Sequence, residues 1–330
     1  MLWKHAKNWI GLTINKHIKF RQLQTTKRYQ NNSEILSTSE RKGGGCVVPL
    51  SYYKLEPKKA SSQLGVQTGK LPPVIVLHGI LASGNTYRSV LKRDDFAPER
   101  EIYAVDLRNH GASPHVQEMT YEAMVRDVKC FLEDNGITKA CILGHSMGGK
   151  VGMHFALENP DWVSELVVVD IAPVAYQQES MDKNLPTEAV YAMAKTKPHQ
   201  CKSRSEVDNA LEQQGLTNER VRQFVLTNLV PDDEKPGYYK WRVNLHSLVD
   251  SMEAMLGFPS TAAERVFRGP TLFIRGENSP YIQPNIHESI IRHYFPNAAI
   301  KTISNSGHWL IAEEPDHFTR LVNEFLSSQA

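Results

Sequence analysis

Short apolar runs recur along the chain at Val74 to Leu77, Ile102 to Val105, Ala140 to Leu143, Leu166 to Val169, Thr271 to Ile274 and Ile300 to Ile303. Each has the length of a strand. The first four are separated by stretches of helical periodicity, such as Tyr121 to Asn135, with Met124, Val125, Val128, Phe131 and Leu132 on one side. Strands alternating with helices predict a mostly parallel sheet with helices on both faces. Upstream, the alternating segment Val47 to Leu55 reads as an early strand of a hairpin, between Gly43-Gly44-Gly45 and the polar stretch Lys58 to Gly69. After Asp170 the rhythm breaks for about a hundred residues, where Thr187 to Ala194, Ser205 to Gln214 and Asn218 to Leu229 look helical and no core strand intervenes. Loops at the carboxyl ends of parallel strands border the ligand crevice, so helices inserted there predict a cap over it, with a separate helical domain as the alternative. The domain boundaries expected are 34–172 for the first part of the core, 173–262 for the cap and 263–330 for the rest of the core.

Charge changes the picture at one end. The 330 residues carry 38 Lys and Arg against 36 Asp and Glu, a formal net charge of +2. Seven of the basic residues (Lys4, Lys7, Lys16, Lys19, Arg21, Lys27, Arg28) and no acidic one fall within 1–33, so the remainder holds 31 basic against 36 acidic residues. That body has no nucleic-acid-binding character. An acid-free basic start, with Trp3, Ile10, Ile14 and Ile18 on one helical face, predicts a mitochondrial transit peptide over 1–33, addressed to the import machinery. A disordered basic tail and a membrane-surface helix are the alternatives; a secretory signal would need a continuous apolar centre. At 41% apolar the chain can bury one large core, and no run is long enough to span a bilayer. The four cysteines, at 46, 130, 141 and 201, show no C-x-x-C spacing and suit a reduced compartment.

The chemistry concentrates at Gly144-His145-Ser146-Met147-Gly148, a G-x-S-x-G run between the Ala140 to Leu143 strand and a helix through Gly149 to Leu157. In that strand-turn-helix setting the serine is a nucleophile on a sharp turn. Side chains two positions to either side would collide with neighbouring backbone, which Gly144 and Gly148 avoid. The Met147 amide, first in the new helix, can donate to a developing oxyanion.

From about Leu71 to the C-terminus the chain resembles the α/β-hydrolase family. The strings LRNHGASPH, GHSMGGKV, VVVDIAPV, FIRGENSPYI and SGHW together resemble a mitochondrial branch known in animals as abhydrolase domain-containing protein eleven, with fungal relatives that include yeast alcohol acetyltransferases. The resemblance implies that the turn at His78-Gly79-Ile80-Leu81 supplies a second oxyanion donor, the amide of Ile80 or, failing that, of Leu81. It implies that Asp106 and Arg108 pair to brace the turn after the next strand, and that His110 braces or lines the pocket. The base belongs late, in the order serine, acid, histidine, on the loop after the last strand. His308 stands there. The family's usual acid position, after the Thr271 to Ile274 strand, holds Ser279, which leaves two carboxylates: Glu277, and Asp170 after the strand beside the elbow. Asp170 is favoured, because Ile171-Ala172-Pro173 turns it toward the same crevice.

Ser146, Asp170 and His308, with the amides of Ile80 and Met147, describe serine-dependent acyl transfer from an ester or thioester to water or an alcohol. An alcohol O-acetyltransferase using acetyl-CoA as substrate is the alternative, and no nucleotide-cofactor or metal motif is present. An epoxide hydrolase or dehalogenase of this fold would need Asp in place of Ser146. A binding or chaperone-like protein on the same fold would usually lack part of the triad.

Overall fold

The computed structural model describes residues 47–59, 71–176, 186–259 and 264–329. The transit segment expected over 1–33 lies outside them. In chain order the elements begin β1 Tyr52–Leu55, β2 Val74–Leu77, α1 Arg88–Leu91, β3 Ile102–Val105, α2 Tyr121–Asp134, β4 Ala140–His145, α3 Met147–Glu158 and β5 Val163–Val169. Next come α4 Pro186–Lys195, α5 Arg204–Gln213, α6 Glu219–Val225, β6 Leu229–Pro231, β7 Tyr239–Trp241, α7 Leu245–Asp250 and α8 Met252–Leu256. The last are β8 Thr271–Gly276, α9 Pro284–Tyr294, β9 Ala298–Ile303, α10 Leu310–Glu313 and α11 Pro315–Ser327.

Among the described residues seven strands form one sheet in the order β1-β3-β2-β4-β5-β8-β9. All neighbours are parallel except β1, which runs antiparallel along β3 with Tyr52 opposite Val105. Among the described residues the partner of the strand expected in a hairpin at Val47 to Leu55 is β3, not a segment next to it in sequence. That strand covers the free edge of β3, where unpaired backbone groups would otherwise face solvent.

Period-two alternation sends each central strand's side chains into two cores. Ile75, Leu77, Ile142, Leu166 and Val168 pack with Met124 and Val128 of α2 and with Val151 and Phe155 of α3. Val74, Val76, Cys141, Leu143, Val167 and Val169 point the other way, toward Phe318, Val322 and Leu326 of α11. Both faces are thus apolar, as a parallel sheet between helices requires. Each fully buried side chain of this size contributes about 1.5–3 kcal/mol. Local signals set the helix ends: the Thr120 side chain accepts from the Ala123 amide to start α2, and Gly136, at φ +64°, lets the chain leave it.

Between β5 and β8 lie α4 to α8 and a two-stranded ribbon of β6 and β7. With three residues per strand, the ribbon is too short to leave a period-two pattern. Polar contacts tie this insertion to the sheet domain: Asn228 Nδ2 donates to the Leu81 carbonyl at 2.7 Å, Asn109 Nδ2 to Ser247 Oγ at 3.0 Å, and the Tyr121 hydroxyl to the Met255 carbonyl at 2.7 Å. Lys150, in α3, donates to the carbonyls of Leu256 at 2.8 Å and Gly257 at 2.5 Å. Burial without a carboxylate partner pushes that lysine down to about 7. Among the described residues, no helix is long and apolar enough to cross a membrane.

Candidate active site

β4 ends at His145 and α3 begins at Met147, so Ser146 alone makes the turn, at φ +53° and ψ −118°. For a non-glycine residue that is strained backbone, costing on the order of 1–3 kcal/mol. The surroundings hold it there. The Ser146 amide donates to the Val169 carbonyl at 3.0 Å, and the Ser146 carbonyl accepts from the Lys150 amide at 3.1 Å. A Cβ on Gly144 would lie 2.2 Å from the Gly148 carbonyl oxygen, and one on Gly148 would lie 2.3 Å from that of Leu77. Both glycines are therefore required by close backbone approach.

Asp170 follows β5 directly, again at positive φ (+53°), and is fully buried. Its Oδ2 accepts from His308 Nδ1 at 2.8 Å and from the Ser279 hydroxyl, while Oδ1 accepts from the Gly276 amide at 3.0 Å. Because the carboxylate takes the Nδ1 hydrogen, His308 Nε2 keeps its lone pair for another proton. Among the described residues that nitrogen has no partner, and Ser146 Oγ likewise makes no hydrogen bond. Such contacts commonly tighten only with substrate present. Glu277 is turned away: its Oε2 accepts from the Asn305 amide at 2.9 Å.

On the other side of Ser146, the turns after β2 and β3 interlock through two imidazoles. His78 Nε2 accepts from the Leu107 amide at 2.9 Å and its Nδ1 donates to the Gly79 carbonyl at 2.8 Å. His110 Nε2 accepts from the Leu81 amide at 3.1 Å and its Nδ1 donates to the Arg108 carbonyl at 3.0 Å. Burial pushes His78 down to about 4 and His110 to about 3, so both stay neutral. The Leu81 amide is thereby committed to His110. Of the two oxyanion donors expected here, Ile80 is the one left available.

The pairing expected between Asp106 and Arg108 is not made. Asp106 accepts from the amides of Gly84 at 2.7 Å and Ala112 at 2.9 Å, whereas Arg108 reaches Asp127 of α2 at 2.6 and 2.8 Å. The physical reason is burial: Arg108 and Asp127 are shut inside together, where a bidentate carboxylate suits a guanidinium best, and the Glu118 carbonyl accepts from Arg108 as well at 2.8 Å.

A cavity of about 480 Å³ opens over Ser146, bounded by Ile80 and His308 from the sheet domain and by Pro186, Arg220 and Phe224 from the insertion. A second hollow, about 520 Å³, lies wholly within the insertion between Met193 and Asp250 and holds none of these groups. Sequence reasoning overlooked two residues of the first cavity, His145 and Tyr87. His145 is the variable position of the elbow, and nothing in the spacing marks Tyr87.

Residues 72–315 match the family model described as alpha/beta hydrolase fold, and the chain belongs to that family. Over 281 residues, 85% of this chain and 86% of its counterpart, it is 37% identical to the sn-1-specific diacylglycerol lipase ABHD11 of Mus musculus. A Saccharomyces cerevisiae protein carrying the description "probable alcohol acetyltransferase" is 31% identical over 290 residues, 84% of each chain. An esterase from a marine microorganism superposes with a TM-score of 0.73 at 30% identity, covering 84% of this chain and 99% of its own. Together these relatives make the chain a hydrolase of the esterase and lipase type.

Proposed function

We propose that the chain is a serine-dependent acyl-transfer enzyme that opens carboxylic esters or thioesters through an acyl-enzyme on Ser146, with water as its principal acceptor. The observation that carries this reading is the 2.8 Å bond to a fully buried carboxylate from Nδ1 of His308, a residue that lines the same cavity as a serine on a strained elbow. In this reading His308 Nε2 takes the Ser146 proton as Oγ attacks the carbonyl carbon, and the amides of Ile80 and Met147 hold the oxyanion. Asp170 keeps the imidazole in one tautomer and stabilises it once charged. His308 then returns the proton to the leaving alcohol or thiol, and a water deprotonated by the same nitrogen releases the acid. The insertion, 173–262, serves as the cap, with Pro186, Arg220 and Phe224 roofing the acyl group. Mitochondrial address through residues 1–33 belongs to the same proposal and rests on their basic, acid-free composition.

Alcohol O-acetylation is the second reading, supported by the similarity to the yeast protein. Both acceptors meet the same acyl-enzyme, so the choice depends on how far the cap excludes water. Two measurements test the scheme. A fluorophosphonate probe should label the wild type and leave Ser146→Ala unlabelled; equal labelling removes Ser146 as nucleophile. Incubation with acetyl-CoA and ethanol should then yield free acetate in excess of ethyl acetate, and the reverse ratio would make the transferase reading the primary one.

A further inference from the structure

We propose that His145, held in one tautomer by Tyr87, is a positioning residue that sets where the His308 imidazole stands. The proposal rests on the acyl-transfer reading above and assigns a role to two residues outside the triad. His145 Nε2 lies 2.9 Å from the carbonyl oxygen of His308. A carbonyl only accepts, so Nε2 carries the hydrogen. The other ring nitrogen, Nδ1, lies 2.8 Å from the Tyr87 hydroxyl, and in a neutral ring already protonated at Nε2 it must accept. Burial pushes His145 down to about 3 and pushes the Tyr87 hydroxyl up, so the ring stays neutral and the phenol keeps its hydrogen. Only one tautomer satisfies both bonds.

The consequence falls on His308, which stands on the loop after β9 and outside any regular element. Asp170 fixes the rotation of its ring; the bond from His145 fixes the backbone from which that ring hangs. The two imidazoles also pack, with centroids 4.7 Å apart, and Tyr281 lies 4.1 Å from the His308 ring. On its far neighbour His145 meets the loop that carries Ile80, since a Cβ on Gly79 would come within 3.1 Å of Nδ1. One side chain therefore touches both the loop of the base and the loop of the oxyanion donor. With Tyr87 absent, the His308 carbonyl alone still selects that tautomer, and the ring loses the bond at Nδ1 that fixes its angle.

The test is steady-state hydrolysis of p-nitrophenyl butyrate by the full chain, with melting temperatures measured for every variant. His145→Leu should lower kcat by about 10- to 100-fold and leave KM within about two-fold, as expected for a displaced base. His145→Gln should regain most of that loss, because its amide nitrogen can reach the place of Nε2 and donate to the same carbonyl. Tyr87→Phe should lower kcat by about 3- to 10-fold alone and add nothing in the His145→Leu background, the signature of two residues acting in series. The proposal is overturned by a His145→Leu enzyme with kcat within about two-fold of wild type, by a Gln variant no better than Leu at equal melting temperature, or by a Tyr87→Phe loss that persists in full in the double variant. Should His145→Leu fail to fold, the Gln and Tyr87→Phe variants carry the test, Gln near wild type supporting it and Gln inactive but folded ending it. Ser146→Ala, run in parallel, keeps the two ideas apart: wild-type turnover there removes the serine reading itself, whereas an inert Ser146→Ala beside an unaffected His145→Leu removes only the positioning role.

Discussion

The turns after β5 and β8 approach the same imidazole from adjacent strands and bring opposite halves of one hydrogen-bonded unit. The β5 turn brings a carboxylate, Asp170, whereas the last residue of β8 and the turn after it bring only donors to it, the Gly276 amide and the Ser279 hydroxyl. A carboxylate with no solvent exposure costs several kcal/mol unless its oxygens are satisfied, and here the neighbouring turn satisfies them. Strands about 4.8 Å apart are near enough for either turn to serve one histidine. The difference teaches that such a site fixes where a carboxylate must stand and leaves open which strand delivers it, provided that the other turn changes from acid to donor.

Variants can break this division of labour by decreasing amounts. Ser146→Ala sets the floor, since removing the nucleophile of a serine triad costs on the order of a million-fold in kcat. Asp170→Asn should cost about 10⁴-fold, through loss of the tautomer that leaves Nε2 basic. Glu277→Gln should stay near wild type, because its carboxylate holds Asn305 instead. Near-normal turnover by Asp170→Asn would take the acid out of the β5 turn altogether. The exchange Asp170→Ser with Ser279→Asp sharpens the comparison: moving the carboxylate to β8 should return about 10- to 100-fold of activity over Asp170→Asn if position is what counts. No recovery would mean that the β5 backbone, at positive φ, is itself required. Ser279→Ala removes one donor from a buried carboxylate and should cost about 10-fold in kcat and about 1–3 kcal/mol of stability, read from urea denaturation.

How much of this was legible depended on whether a partner lay near in sequence. The elbow at Ser146 carries its own glycines and its own helix start, and the serine-acid-histidine order that the family resemblance implies pointed to Asp170 and His308. Ser279 was readable as the wrong residue at an acid position; its role as a donor to Asp170 needed the adjacency of β5 and β8, which is tertiary. The same cause misled at Arg108. Asp106 is two residues away and invited a local pair, but Asp127 arrives from α2 and shares the burial. His145 left no signal, because the variable position of the elbow accepts many side chains and its partners, Tyr87 and the His308 carbonyl, lie 58 and 163 residues distant. The β6 and β7 ribbon was lost for want of length.

The turns after β2 and β3 extend the comparison, for they are braced by neutral imidazoles where the β5 and β8 turns use a carboxylate. His78 and His110 are pushed by burial to about 4 and about 3, below the ordinary value of 6.5. An unfolded chain binds protons at these rings as pH falls through that ordinary value, while the folded chain does so only near the lowered ones, so protons favour unfolding in between. The stability they contribute is complete above the ordinary value and is lost as pH drops toward 4. His110→Gln isolates one of them: Oε1 can still accept from the Leu81 amide, and nothing titrates. Urea denaturation at about pH 7.5 and about pH 5.5 should show the wild type losing about 1 kcal/mol more than the variant on acidification. Equal losses would mean that His110 is not held neutral by burial, and the contrast between a charged and an uncharged side of the nucleophile would fall with it.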